Sequence, residues 1–252
     1  MGAFETTPTR VHLSRESGAL GRRTQQIVTA MGEAIVSGHY PSDVILPVEA
    51  VLADQFGASR PILREAVKVL SAKGLVTSRP RRGTSVTPPS QWNLFDPDVL
   101  EWILNGAFSL PLLVEFTHVR LGLEPEAARL AATRGDGPDI AAIERGYARM
   151  EAARDGADDA LEADIAFHLA ILDASGNRFL ARLKPFVAAA LHFSIRYTDN
   201  IARDEDAKLV IHRNVYEAIA RGDPVAAAGA ARTLLEDARA LMDAGHPIPA
   251  AD

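Results

Sequence analysis

An aspartate and two histidines are the residues of this chain best suited to hold a metal ion. Asp164 and His168 are four residues apart in a helical pattern, so their side chains project from one helix face. His212 lies in a second helical pattern, with Tyr216 on the same side. One carboxylate and two imidazoles suit a borderline divalent cation such as Zn²⁺ or Ni²⁺. A local ion pair or helix cap, and a packed core histidine at 212, are the competing interpretations.

Two arginines lie within apolar helical segments and could bind an acidic molecule. They are Arg120 and Arg196, the latter close to His192. A guanidinium that turns into a helical bundle needs a carboxylate partner, because a buried unpaired charge is costly. For Arg120 that partner is either Glu124, four residues further on, or a small acidic ligand held by two hydrogen bonds.

The segment from residue 46 to residue 86 has helical and strand patterns in the order of a winged helix-turn-helix. Val48, Val51, Leu52 and Phe56 repeat at helical spacing, and a glycine turn separates them from a second amphipathic pattern. Two short strand patterns joined by an arginine-rich turn come next. The order of these elements is far more specific than any single arginine, which alone would be a solvated surface charge.

The basic residues of this segment are placed to contact DNA. Ser59 can cap the second helix, and Arg60 and Arg64 lie at its start, where arginine pairs bidentately with guanine in a major groove. The turn between the strands can contact phosphates or a minor groove. The predicted DNA-binding residues are Ser59, Arg60, Arg64, Arg81, Arg82 and Gly83.

Composition supports two domains with opposite charge. Among 252 residues the first 90 hold eleven Lys/Arg and seven Asp/Glu, whereas the remainder holds sixteen and twenty-six. The basic part suits a polyanion. The chain has no cysteine, which excludes disulfides and zinc–thiolate sites, and no apolar run long enough for a membrane span or signal peptide. We therefore expect a cytoplasmic protein that binds no membrane.

The helical and strand patterns define the domain boundaries. We predict a flexible tail at 1–21, a DNA-binding domain at 22–88, a linker at 89–96 and an all-helical domain at 97–246. The fold class is mainly α, with a small β-hairpin as the wing. The helices predicted after the linker span 97–105, 110–133, 138–155, 158–175, 177–198, 206–221 and 224–244.

The first domain resembles the GntR family of bacterial transcription regulators. The resemblance rests on Leu46-Pro47, Ser59-Arg60, Leu63-Arg64-Glu65-Ala66, Gly74-Leu75-Val76 and Gly83-Thr84. It implies DNA contacts from the residues named above. The family usually has arginine after the glutamate of its LPxER motif, where this chain has Ala50. That departure removes one expected DNA contact.

The second domain resembles the FCD effector domain of the FadR subfamily. The resemblance rests on Arg120, Leu123-Glu124-Pro125, Asp164-x-x-Phe167-His168, Ser175-Gly176-Asn177 and His212-x-x-x-Tyr216. It implies a metal held by one Asp and three His, beside which a carboxylate effector binds. Asp164, His168 and His212 match three of these ligands, and Leu234 stands where the last helix supplies the third His. His246 lies beyond that helix, and His192 substitutes only if its helix face turns inward.

The segment from Trp92 to Trp102 resembles the interdomain segment of FCD regulators of sugar-acid catabolism, such as galactonate-type repressors. A linker fixed by two tryptophans is the alternative explanation. The leading hypothesis is a homodimeric, non-enzymatic repressor that binds double-stranded operator DNA and is released by a small carboxylate. The alternatives are a metal-dependent enzyme in the helical domain and a DNA-binding dimer with a vestigial pocket. The effector-binding residues are predicted to be Arg120, Arg196 and His192.

Overall fold

A computed structural model of the chain describes residues 15–106, 110–135, 137–199 and 205–244. These residues form two compact units that divide between Asn93 and Leu94. The fold is mainly helical with a small two-stranded antiparallel sheet, which confirms the predicted fold class. Within the described ranges no helix has both the length and the apolar character needed to cross a membrane.

The described part of the first unit, from residue 15 onward, contains three helices, a hairpin and a short 3-10 turn. Its core is formed by apolar side chains that repeat along one face of the first and third helices, among them Ile27, Met31, Leu63 and Leu70. The elements are α1 (Arg15–Val36), α2 (Glu49–Gln55), α3 (Arg60–Ala72), β1 (Val76–Arg79), β2 (Gly83–Val86) and the 3-10 turn (Pro89–Gln91).

The hairpin joins directly to the end of α3. Gly74 has φ of 80°, and a Cβ there would lie 2.4 Å from the carbonyl oxygen of Gln91, so only glycine fits. The two strands pair antiparallel, with Val76 opposite Val86 and Arg79 opposite Gly83. The hairpin predicted from the sequence as the wing is thus present.

The second unit consists of eight described helices around one apolar core. Alanines of α5 and α11 allow these two long helices to pack closely, with Ala127, Ala128 and Ala231 buried. The helices are α4 (Pro97–Gly106), α5 (Leu110–Arg134), α6 (Gly137–Arg154), α7 (Ala160–Ala174), α8 (Arg178–Arg182), α9 (Lys184–Asp199), α10 (Glu205–Ala220) and α11 (Pro224–Asp243).

Helices α6 and α7 approach each other at a glycine. A Cβ at Gly146 of α6 would lie 2.8 Å from the Cα of Phe167 on α7, closer than any side chain permits. The backbone of α7 therefore packs directly on α6 immediately before His168. The absence of a side chain at 146 sets the position of the helix that carries Asp164 and His168.

Two sequence-based boundaries differ from the structure. The helix predicted at 177–198 is broken at Leu183 into α8 and α9. Pro185 accounts for the break, because proline has no N–H to continue the helical hydrogen-bond ladder and fits only the first turn of a new helix. The tail predicted at 1–21 also differs, since α1 already begins at Arg15; no proline there blocks a helix.

Candidate functional site

The start of α3 presents three predicted DNA-binding residues on the surface of the first unit. Ser59 is the N-cap residue, and its hydroxyl makes no capping hydrogen bond. Arg60 and Arg64 are exposed. The Nε of Arg64 donates to both carboxylate oxygens of Glu49, at 2.8 and 3.0 Å. Glu49 and Arg64 thus form an exposed ion pair, a contact that the sequence pattern did not reveal.

The wing tip presents the other predicted residues. Arg81 has φ of 64°, a left-handed conformation that a non-glycine residue adopts at some cost, and Arg82 donates its backbone N–H to the carbonyl of Arg79. Arg81, Arg82 and Gly83 are all exposed. The turn thus projects adjacent guanidinium groups from the hairpin, together with the equally exposed Arg79.

Ala50, the residue that departs from the family motif, is half-buried on α2. Arg23 of α1 donates from Nη2 to the carbonyls of Phe56 and Gly57, at 2.9 and 3.2 Å. A guanidinium therefore stabilises the turn between α2 and α3 from the side of α1. This contact stabilises the helix-turn-helix and does not involve Ala50, the position at which the family motif has arginine.

The second unit brings Asp164, His168 and His212 together in its interior. All three side chains are at most 6% exposed, and one ligand atom from each lies within 4.8 Å of the others. The Oδ1 of Asp164 is 3.3 Å from Nε2 of His168 and 3.4 Å from Nε2 of His212. Neither contact has hydrogen-bond geometry, and Asp164 Oδ1 and His212 Nε2 are buried without a hydrogen-bond partner among the described residues.

The other ring nitrogens fix the tautomers of both histidines. His212 Nδ1 is 2.7 Å from the carbonyl oxygen of Lys208, and His168 Nδ1 is 2.7 Å from Oε2 of Glu124. Both partners are acceptors, so each Nδ1 carries the hydrogen. In the neutral rings the Nε2 lone pairs then face the same carboxylate oxygen. Nη2 of Arg120 lies 3.3 Å from the same nitrogen of His168. His212 Nε2 and Asp164 Oδ1 have no hydrogen-bond partner among the described residues, and a lone pair that faces an anion in this way attracts a cation.

The spacing of these atoms fits a divalent metal ion. Ligands about 2.1 Å from a tetrahedral zinc ion are about 3.4 Å apart, which matches the two distances from Asp164 Oδ1. The hydrogen bonds that His168 and His212 make through Nδ1 are of the kind that orients metal-bound imidazoles. The donor set therefore suits Zn²⁺ or Ni²⁺, which Asp164, His168 and His212 would hold.

Arg120 and Glu124 form a buried ion pair behind His168. The Nε of Arg120 is 2.5 Å from Oε1 of Glu124, and both side chains are at most 6% exposed. Burial would raise the pKa of Glu124, but Arg120 and His168 reverse this effect and lower it to about 2. Burial would lower the pKa of His168, and the charge of Glu124 instead raises it. Of the two partners considered for Arg120, Glu124 and an acidic ligand, the structure thus shows Glu124.

A partly different set of neighbours acts on Asp164. Burial would raise the pKa of its carboxyl, but His212, His168 and Lys208 hold it well below its ordinary value. Lys208 contributes an ammonium 3.0 Å from Asp164 Oδ2. Asp164 is therefore an anion with one oxygen directed at a lysine and the other at two imidazoles.

This cluster opens onto a cavity of about 190 Å³. Apolar side chains of α9, α10 and α11 form most of its wall, and Leu234 lies there, in the position expected for a third histidine. Arg120 also lines the cavity, whereas His192 and Arg196 do not, and Arg196 is exposed. The part of these two residues in effector binding stays a prediction, and His246 lies outside the described residues.

Sequence reasoning missed several polar residues of the cavity. Lys208 lies four residues before His212 and hence on the same helix face, a spacing that could have identified it. Ser194, Thr198 and Asp237 also line the cavity. No local pattern distinguishes these three from ordinary helical surface residues, because only the packing of α9 against α11 brings them together.

Comparison with known proteins agrees with both units. Residues 23–86 match the bacterial regulatory proteins of the gntR family, and residues 115–237 match the FCD domain. The uncharacterized HTH-type transcriptional regulator YieP of Escherichia coli strain K12 is 36% identical over 81% of this chain and 89% of its own length. The galactonate operon transcriptional repressor of the same strain is 34% identical, over 84% and 93%.

A solved structure of the Listeria monocytogenes regulator Lar, at 20% identity, has a similar fold, with a TM-score of 0.60 over 88% of this chain and 96% of that one. Its identity to this chain is low, so it supports the architecture alone. One matched segment lies within the basic helix-turn-helix unit, and the other lies within the helical unit that holds the buried cluster. The chain therefore belongs to the GntR family and is a DNA-binding transcription regulator with an FCD effector domain.

Proposed function

We propose that two copies of this chain form a homodimer that binds operator DNA and responds to a small carboxylate. Each copy supplies one winged helix, and the paired units contact two half-sites of a short palindrome. The protein acts in the cytoplasm, where operator DNA is accessible, and as a regulator rather than an enzyme. The relatives reported above, all named as regulators of transcription, support this assignment.

Operator DNA is read by the start of α3 and contacted by the wing. Arg60 and Arg64 are exposed where they can approach base edges, and Ser59 offers a hydroxyl to a phosphate. Arg81 and Arg82, with the backbone of Gly83, approach the DNA backbone or minor groove. Glu49 accepts from the Nε of Arg64, and the two terminal nitrogens are the groups that we propose for base contacts.

The effector binds in the cavity beside Asp164, His168 and His212. The observation that carries this proposal is the buried, unsatisfied pair of atoms, Asp164 Oδ1 and His212 Nε2, at the wall of an apolar cavity. A divalent ion held there supplies Lewis-acid binding of a carboxylate oxygen. The cavity, about 190 Å³, is smaller than the roughly 300–1,000 Å³ of drug-sized sites, which favours a small organic acid.

A hydroxy acid of the sugar-acid type is the effector class that we propose, and repression is the proposed mode. The galactonate operon repressor is named for such an acid and is 34% identical to this chain. Hydroxyl groups of Ser194 and Thr198 and the carboxylate of Asp237 line the cavity and suit hydroxyl groups of a ligand. The binding of such an acid shifts the regulator away from its DNA-binding state.

The test combines operator binding with ligand release. A duplex selected by the protein from a random library is labelled, and its binding is followed by fluorescence anisotropy during titration with D-galactonate, D-gluconate, glycolate and acetate, with and without a chelator. We expect one or more acids to release the DNA without being consumed. The chelator should reduce this release. Sedimentation measures the dimer. Asp164→Asn removes a ligand, and Asp173→Asn, in a surface pair with Lys184, is its control.

If all four acids leave the DNA bound, or if the acids are consumed, effector-released repression is wrong. An equal response with and without chelator, together with no bound metal by elemental analysis, removes the ion from the mechanism. A monomer in sedimentation at concentrations that saturate the operator contradicts the dimer.

A further inference from the structure

Lys208 is a charged residue of the cavity that the family resemblance did not assign. Its ammonium is 3.0 Å from Asp164 Oδ2, and its side chain is 23% exposed, whereas the carboxylate is 3% exposed. The lysine lies on the first turns of α10, one helical turn before His212, and lines the cavity. It therefore contacts both the proposed ion ligand and the space proposed for the effector.

The other basic group in the cavity wall is already neutralised. Arg120 forms two contacts with Glu124, at 2.5 and 3.3 Å, and both side chains are almost fully buried. A carboxylate that displaced Glu124 would leave a buried anion without a partner, which is strongly unfavourable. Lys208 is different, because its side chain is partly exposed and lines the cavity, so its ammonium can contact a ligand there while it stays close to Asp164 Oδ2. Asp237 also lines the cavity and adds a negative charge.

We propose that Lys208 binds the carboxylate of the effector, and that through Asp164 it couples effector binding to binding of the divalent ion. This inference rests on the proposed function and adds to it the residue that selects an anion. Without the ion, the negative charge of Asp164 opposes an incoming carboxylate. With the ion on Asp164 Oδ1, that charge is compensated, and the ammonium on Oδ2 attracts the effector. Ion and carboxylate thus each tighten binding of the other by the same factor.

The proposal predicts effects of opposite sign on the two ligands when the lysine loses its charge. Lys208→Gln keeps a donor for Asp164 Oδ2 but removes a positive charge close to the proposed ion site. The ion should therefore bind more tightly in the absence of acid, by about 5-fold or more, since coupling between sites is typically 5–150-fold. The carboxylate should bind at least about 10-fold more weakly. A lysine that only stabilised the fold would weaken both.

The experiment uses calorimetric titration of the full chain with Ni²⁺ alone, with each of the four acids alone, and with each acid in the presence of Ni²⁺. D-galactose, which carries no carboxylate, and protein-free titrations of acid into Ni²⁺ are the controls for the ligands. Lys184→Gln changes the surface lysine paired with Asp173 and is the control for loss of a lysine. Lys208→Arg keeps the charge and should retain the coupling. Lys208→Met and thermal unfolding of every variant check the fold.

Tighter Ni²⁺ binding with weaker acid binding in Lys208→Gln, and neither change in Lys184→Gln, supports the proposal. Wild-type acid affinity in folded Lys208→Gln or Lys208→Met overturns the role proposed for Lys208. That result does not contradict the proposed effector cavity or ion site. Weakening of both ligands in folded variants also overturns the proposal, since that pattern marks a structural role. If wild type binds neither Ni²⁺ nor any of the acids, the proposed function fails, and this proposal fails with it.

Discussion

Replacement of Glu124 by glutamine removes the negative charge that neutralises the buried guanidinium of Arg120 in the helical unit. Glu124 accepts hydrogen bonds from Arg120, at 2.5 Å, and from His168, at 2.7 Å, and its side chain is 6% exposed. Glutamine has nearly the same shape but leaves the guanidinium without a counter-ion. Loss of one partner of a buried ion pair costs about 3–5 kcal/mol. We expect the free energy of unfolding of this unit to fall by that amount.

Acid provides a second measure of the same interaction. The pKa of Glu124 is lowered from 4.5 to about 2, because Arg120 and His168 outweigh the opposing effect of burial. The folded-state pKa lies below the unfolded one, so the carboxylate stabilises the unit fully above that unfolded value. This contribution is lost as the pH falls towards the folded pKa. The shift corresponds to roughly 3 kcal/mol, so wild type should lose more stability on acidification than Glu124→Gln.

The assay is urea unfolding in the presence of a chelator. Trp102 is buried in the helical unit and Trp92 belongs to the first unit, so a Trp92→Phe background makes tryptophan fluorescence report the helical unit. Glu126→Gln is the matched control, since Glu126 forms an exposed pair with Arg129 on the same helix and should cost less than about 1 kcal/mol. A loss in Glu124→Gln no larger than in this control refutes the reasoning.

The remaining predictions concern DNA and metal binding. Arg60→Ala and Arg64→Ala should each weaken specific operator binding by about 5- to 150-fold with the fold intact, since a lost bidentate base contact costs roughly 1–3 kcal/mol; near-wild-type affinity in anisotropy titrations would contradict the role of α3. The double variant Arg81→Ala, Arg82→Ala should weaken binding to all duplexes alike and lower the salt slope by about one per lost phosphate contact; an unchanged slope excludes backbone contacts by the wing. Leu234→His should tighten Ni²⁺ binding measured by calorimetry, because Leu234 lines the cavity beside the cluster; unchanged or weaker binding would show that a histidine there does not reach the ion.

The sequence predicted α2, α3 and the two strands of the first unit because each has a local cause. Apolar periodicity, Pro61 in the first turn of α3 and Gly74 after it define helix limits by backbone chemistry alone. The break at Leu183 was missed although its cause, Pro185, is equally local. Apolar periodicity continues across the proline, and a pattern of side chains carries no information about a missing N–H.

The candidate site was predictable only in part. Asp164 and His168 share a helix face through their spacing, and His212 was matched through the FCD resemblance; the structure brings all three together. The pairing of Arg120 with Glu124 was one of two alternatives, because spacing shows that two residues can meet but not whether a ligand competes. The contact between Lys208 and Asp164 joins two helices that are distant in sequence. Such contacts depend on helix packing angles that no local pattern encodes.

The close approach at Gly146 has a consequence for the genetics of this regulator. Any larger residue at 146 would push against the Cα of Phe167, which precedes His168 directly in the chain. Alleles at this position would therefore shift His168 relative to His212 without altering a single polar group. In a screen for variants that no longer respond to the proposed effector, Gly146 alleles belong with those of Asp164, His168 and His212, although Gly146 does not line the cavity. Loss of the response in such an allele would show that the absence of a side chain at Gly146 is required for it.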